Sequence, residues 1–165
     1  MKTLFIGGIK SGKSLNAEKY IQTLSKSKPL YLATTEFIDE GMQKRIDAHK
    51  LQREDRFITV EEALELSKEI QKHDKSPILV ECLSIWVNNM LYHEKSVDAM
   101  IAEINSVMMQ DRDVVFVIND VSCGVIPDNK LAREFVDANG KIAQLVASAC
   151  DEVYHVVAGI ATRIK

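Results

Sequence analysis

Hydrophobic positions along the chain fall into two kinds of run, and their alternation predicts the architecture. Compact runs, mostly rich in β-branched residues, occur at Lys2–Ile6, Pro29–Ala33, Pro77–Glu81, Val114–Ile118 and Glu152–Val157 and read as strands. Phe57–Val60 is a weaker strand candidate, and the tail Ile160–Ile164 adds a candidate edge strand. Between them, apolar residues recur at helical spacing, as in Val97, Ile101, Ile104 and Met108, or Leu131, Phe135, Ile142 and Leu145. Helices are expected over Gly12–Ser25, Glu40–Gln52, Glu61–Lys72, Leu83–Tyr92, Val97–Gln110 and Asn129–Ala149. Gly140 falls inside the last of these, where it either interrupts the helix or permits a close approach. Strands alternating with helices predict an α/β chain, a mainly parallel sheet covered by helices on both faces.

In such sheets ligands bind outside the carboxyl ends of the strands. The first strand runs into Gly7-Gly8-Ile9-Lys10-Ser11-Gly12-Lys13-Ser14, which fits the phosphate-binding pattern G-x-x-x-x-G-K-[ST] in its strand–loop–helix setting. Glycines let the loop turn its amides inward, and these amides with the helix N-terminus form a positive concavity for phosphate oxygens. Lys13 is placed to reach the β- and γ-phosphates of a nucleotide, and the Ser14 hydroxyl to complete a Mg²⁺ site. The expected fold is therefore P-loop NTPase-like. The other strands end in Ala33-Thr34-Thr35, Glu81-Cys82 and Asn119-Asp120, so polar groups cluster at one sheet edge.

Composition narrows the class. The 165 residues, 46% hydrophobic, suffice for one domain with a proper core. Basic and acidic residues, 21 and 24, are interspersed with a net charge of −3, which argues against a nucleic-acid surface. The longest apolar run, Val114–Ile118, is far too short for an integral membrane segment. Cleavage of a leader would remove the phosphate loop, so a cytoplasmic protein is expected. Cys82, Cys123 and Cys150 are too few and too scattered for a disulfide framework or a zinc site. They read as free thiols, all three better explained by packing than by a pocket. Trp86 and Met108-Met109 read as core, and His155 as half-buried.

Several residues could carry chemistry. Glu81 closes the run Ile78-Leu79-Val80, where the acidic partner of a phosphate loop sits. Thr34 and Thr35 either hydrogen-bond a nucleotide or cap the next helix. On a helix through residues 39–53, His49 and Arg53 fall near the Met42 and Ile46 face, with Arg45 close by. Such a basic group calls for an anion or for acidic residues to neutralise it, and a neutral imidazole can attack phosphorus; a packed or solvated histidine is the plainer alternative.

Taken together, the Gly7–Ser14 loop, Tyr31-Leu32-Ala33-Thr34, the Asp39-Glu40…Arg45-Ile46…His49…Arg53 block, Thr59-Val60-Glu61, Glu81-Cys82-Leu83 with Trp86 and Asn89, Gly124-Val125-Ile126-Pro127-Asp128-Asn129 and the tail from Asp151 to Lys165 form a specific set. The chain resembles the bifunctional adenosylcobinamide kinase / adenosylcobinamide-phosphate guanylyltransferases of cobalamin biosynthesis, from Gly7 to Lys165. The resemblance implies a two-step enzyme. ATP or GTP phosphorylates the aminopropanol arm of adenosylcobinamide; GTP then guanylylates a histidine, and the GMP passes to adenosylcobinamide phosphate. By matching position His49 carries GMP, Lys50 and Arg53 hold phosphates, and Glu61 contacts guanosine. The resemblance also implies a homo-oligomer, a trimer. The chain departs from the family pattern at Asn119-Asp120-Val121-Ser122, usually Asn-Glu-Val-Gly, and at Phe57, Ala143 and Glu54, usually Trp, Asn and Pro. Retention of only one activity, or a nucleotide-binding regulatory module, are the competing readings.

Overall fold

The computed structural model describes residues 1–24, 27–36 and 55–165. Among them the chain forms, in order, β1 (Lys2–Gly7), α1 (Lys13–Leu24), β2 (Leu30–Ala33), β3 (Ile58–Glu61), α2 (Leu66–Gln71), β4 (Ile78–Glu81), α3 (Leu83–Tyr92), α4 (Val97–Met108), β5 (Val114–Asn119), α5 (Lys130–Ala149), β6 (Glu152–Val157) and β7 (Ile160–Arg163). The strands make one seven-stranded sheet in the order β3-β2-β4-β5-β1-β6-β7. Every pairing is parallel except β6 with β7. The mainly parallel sheet predicted from the alternating runs is what forms.

Its central strands are apolar on both faces, as burial on two sides requires. Leu4, Val80, Val114, Phe116 and Ile118 pack with Leu66 and Ile70 of α2, Leu83 and Trp86 of α3, Met100 and Ile104 of α4, and Ile142 and Val146 of α5. Phe5, Tyr31, Leu79, Val115, Val117 and Val156 face the opposite way, onto Ala17 and Ile21 of α1. Helix starts follow local chemistry: the Ser96 and Asn129 side chains accept the amides of Ala99 and Ala132, which caps α4 and α5.

Some boundaries differ from the sequence reading. The helix expected from Glu61 starts at Leu66, because Thr59-Val60-Glu61 continues the ladder with β2, where Glu61 lies opposite Ala33. The Glu62 carboxylate then accepts the amides of Leu64 and Glu65 and holds a turn before α2. Gly140 neither breaks α5 nor allows a close contact, since a methyl there would meet nothing within 4 Å. Met109, read as core, is 80% exposed at the C-cap of α4, and Leu131, on the helical-period face of α5, is 64% exposed in its first turn. Cys123 is exposed rather than packed, because the chain leaves β5 at Asn119 and runs out over the surface. The expected helix Glu40–Gln52 lies outside the described residues.

Phe116 is fully buried on the central strand β5. Phe116→Ala should cost about 3–5 kcal/mol in equilibrium urea unfolding, whereas Met109→Ala should stay within about 0.5 kcal/mol of the parent.

Candidate nucleotide site

The phosphate loop follows from what β1 meets at its end. A Cβ on Gly7 would lie 2.3 Å from the Val156 carbonyl oxygen and 2.7 Å from Ser11 Oγ, so only glycine passes between β5 and β6. Lys10 and Gly12 take left-handed conformations, with φ of 58° and 91°, and such turns make successive amides converge. The Ser11 amide donates to the Gly8 carbonyl at 3.1 Å, closing the turn. Helix α1 then starts at Lys13, whose first-turn amides have no partner within the helix and face the loop. Lys13 is buried, and its ammonium donates to the Gly8 carbonyl at 3.2 Å, across the mouth that Gly8, Ile9 and Lys10 leave exposed.

A second element braces this loop. Between the paired residues Val157 and Ile160, Ala158 and Gly159 have φ of 50° and 84°, a two-residue turn of the kind that joins twisted antiparallel strands. The Gly159 amide donates to the Ser11 carbonyl at 2.7 Å. The Asn16 side-chain amide donates to the carbonyls of both Gly159 and Gly12, at 3.0 and 2.9 Å. A Cβ on Gly12 would lie 2.9 Å from Gly159 Cα. Sequence reasoning missed this brace, since Ala-Gly is a weaker hairpin signal than Asn-Gly, Asp-Gly or Gly-Gly.

The acidic partner comes from two strands away. β5 lies between β1 and β4, and Ser14 Oγ reaches across to donate to Glu81 Oε1 at 2.7 Å. A hydroxyl and a carboxylate side by side are the hard oxygen donors that Mg²⁺ takes, so these residues fit the ion. Ala33 lies opposite Glu81 on one side and Glu61 on the other. Glu61 is exposed and Thr35 half-buried. Thr34 is fully buried; its hydroxyl accepts from the Cys82 amide at 3.1 Å and donates to the Cys82 carbonyl at 2.9 Å. It is thereby committed to the backbone at the end of β4, a role contained in neither expectation drawn from sequence. Asp120 joins the edge through its amide, which donates to the Gly7 carbonyl at 2.9 Å. The Ser122 hydroxyl and amide hold the Asp120 carboxyl below the ordinary aspartate range. His49, Lys50, Arg53 and Arg45 lie outside the described residues.

A phosphate loop between a buried strand and a helix, with a carboxylate beside it at the edge of a largely parallel sheet, defines a P-loop nucleotide-binding fold. The flagellar accessory protein FlaH of Methanocaldococcus jannaschii shares it, with a TM-score of 0.53, 11% identity, and 99% of this chain and 77% of that one covered. A KaiC-like protein of Pyrococcus horikoshii has a TM-score of 0.52 at 12% identity, with 93% and 69% covered. These likenesses concern the fold alone. The chain belongs to the cobinamide kinase / cobinamide phosphate guanyltransferase family, which it matches over residues 3–164. It is 35% identical to the bifunctional adenosylcobalamin biosynthesis protein CobU of Escherichia coli over 184 aligned positions, with all of both chains covered. It is 30% identical to the corresponding CobP of Pseudomonas aeruginosa, with 100% of this chain and 98% of that one covered.

Two measurements check the geometry. Gly7→Ala should lower the melting temperature by several degrees, while Gly8→Ala, where a methyl meets no atom within 4 Å, should leave it unchanged. Burial pushes the thiols of Cys82 and Cys150 up to about 12, Cys82 being raised further by the Glu81 charge. A thiol reagent at pH 8 should therefore label native protein at Cys123 alone, and all three cysteines after denaturation.

Proposed function

We propose that the protein phosphorylates adenosylcobinamide with ATP or GTP, and then guanylylates the product through a His49–GMP intermediate to give adenosylcobinamide-GDP. What carries this reading is the line of strand ends in a chain of this family: the phosphate loop on β1, Glu81 on β4, Ala33 on β2 and Glu61 on β3. Strands spaced about 4.8 Å apart put β3 roughly 19 Å from β1, comparable with the length of an extended nucleoside triphosphate. The β- and γ-phosphates then sit in the loop on Lys13, and the base lies towards Glu61. His49, Lys50 and Arg53 belong to the stretch of sequence that connects β2 to β3.

In the first step the corrinoid hydroxyl oxygen attacks the γ-phosphorus, the bridge to the β-phosphate breaks, and the hydroxyl proton is lost. In the second, an imidazole nitrogen of His49 attacks the α-phosphorus of GTP and pyrophosphate leaves. A phosphate oxygen of the phosphorylated corrinoid then attacks that phosphorus, the N–P bond breaks, and the imidazole is restored. The loop amides, Lys13 and the cations Lys50 and Arg53 oppose the charge that develops on phosphate oxygens. Mg²⁺, held by Ser14 and Glu81, would neutralise triphosphate charge when bound. Glu61 accepts from guanine N1–H and the exocyclic amine, a donor pair that adenine lacks, and so selects GTP for the second step.

A single domain acting in the cytoplasm on small molecules, with no nucleic-acid partner, fits this role. Among the described residues no helix is long and apolar enough to cross a membrane. Exposed Val125, Ile126 and Ile160 supply apolar surface of the kind that a homotrimer would cover.

Incubation with Mg²⁺ and GTP labelled at the α-phosphate tests the central claim. Acid-labile, base-stable label should appear on the wild type and not on His49→Ala. An unlabelled wild type that still binds GTP would overturn guanylyl transfer and leave a kinase or a binding module.

A further inference from the structure

In the reading above, GTP selection rests on Glu61, so what fixes the backbone around this residue matters. It ends a four-residue strand that, among the described residues, lies at the sheet edge and pairs with β2 alone. Short edge strands gain little rigidity from their own ladder. The chain just beyond Glu61 is instead held from α3. Asn89, fully buried, donates through its side-chain amide to the carbonyl of Thr34 at 2.7 Å and to that of Ala63 at 3.2 Å. One turn earlier, Trp86, also fully buried, donates its indole N–H to the Leu64 carbonyl at 3.0 Å. The Glu62 amide bonds back to the Ala33 carbonyl at 3.0 Å.

These contacts form one chain of bonds from the metal end of the site to the base end. Glu81 and Cys82 are tied to Thr34, Thr34 to Asn89, and Asn89 to Ala63, two residues past Glu61. The orientation of the Asn89 amide is decided by its surroundings: both neighbours are carbonyl acceptors, so only its NH₂ end can face them. Its Oδ1 is buried without a hydrogen-bond partner among the described residues, a cost that a fully buried leucine would avoid. What the amide adds is a fixed separation between the ends of β2 and β3.

We infer that Asn89, assisted by Trp86, is a positioning residue for guanine selection, acting by holding the 62–64 strap so that Glu61 faces the base. The inference rests on the Glu61 reading, and the test separates the two. GDP and ADP, which undergo neither transfer, serve as probes in calorimetric titrations with Mg²⁺. Asn89→Leu should weaken GDP binding about tenfold and ADP binding less than about threefold. Glu61→Ala should erase the same preference, and the double variant should show no further loss, because both act through one contact. If Glu61→Ala erases the preference while folded Asn89→Leu keeps it, the positioning role is overturned and the Glu61 reading stands. A preference untouched by Glu61→Ala overturns the Glu61 reading and this inference with it. Should Asn89→Leu fail to fold, Trp86→Phe decides, since it keeps a buried ring and removes only the N–H bond to Leu64. A shift of about threefold towards ADP supports the inference, and an unchanged GDP-to-ADP ratio in the folded variant overturns it.

Discussion

Parallel pairing from β3 through β6 is the constraint from which the site follows. In a parallel ladder all strands point the same way, so their carboxyl ends emerge along one edge, and register decides which residues stand beside one another. Here the register sets Ala33 between Glu61 and Glu81, and Gly7 beside Asn119. Residues separated by long stretches of sequence become neighbours because their backbones share a ladder. The apolar residues that fill both faces of β1, β4 and β5 make that ladder rigid.

Rigidity matters most where the chain stops being regular. The phosphate loop contains two left-handed residues and a glycine flanked by backbone at less than van der Waals distance for any side chain. Such a conformation persists when its surroundings over-determine it. The β6–β7 turn and Asn16 do so by bonding to the loop carbonyls at Ser11 and Gly12. The antiparallel pair β6–β7 thus braces the segment that must keep its amides turned inward. On the far side of the sheet, Thr34, Asn89 and Trp86 do the corresponding work with side chains, because among the described residues β3 is an edge strand.

The chemistry that family membership points to fits this division. Phosphoryl and nucleotidyl transfer demand little covalent work from a protein and much positioning of charge. In the proposed binding mode, a nucleotide laid along the strand ends would meet the loop amides and Lys13 at one end and the Glu61 carboxylate at the other. The departures at Asp120 and Ser122 lie against the loop, through the Asp120 amide bond to Gly7.

The sequence by itself determined the class of fold, the phosphate loop and the family, because each is written in local pattern: period-2 and period-3.6 runs, a glycine spacing, and short blocks around His49 and Gly124. It also placed Ser14 and Glu81 in one site, since a carboxylate at a strand end is a local signal. Glu61 was named as a residue, but its strand was misjudged. An exposed, charged Thr59-Val60-Glu61-Glu62 has no helical or strand signature strong enough to show that pairing with Ala33 continues past Val60. Only the tertiary structure decided that Thr34 serves the backbone of β4, that Asn89 and Trp86 hold the strap after β3, and that a turn near the C-terminus braces the phosphate loop. These are hydrogen bonds between elements distant in sequence. Their partners are backbone amides and carbonyls, which nearly every residue possesses, so nothing in the identity of the partner could announce them.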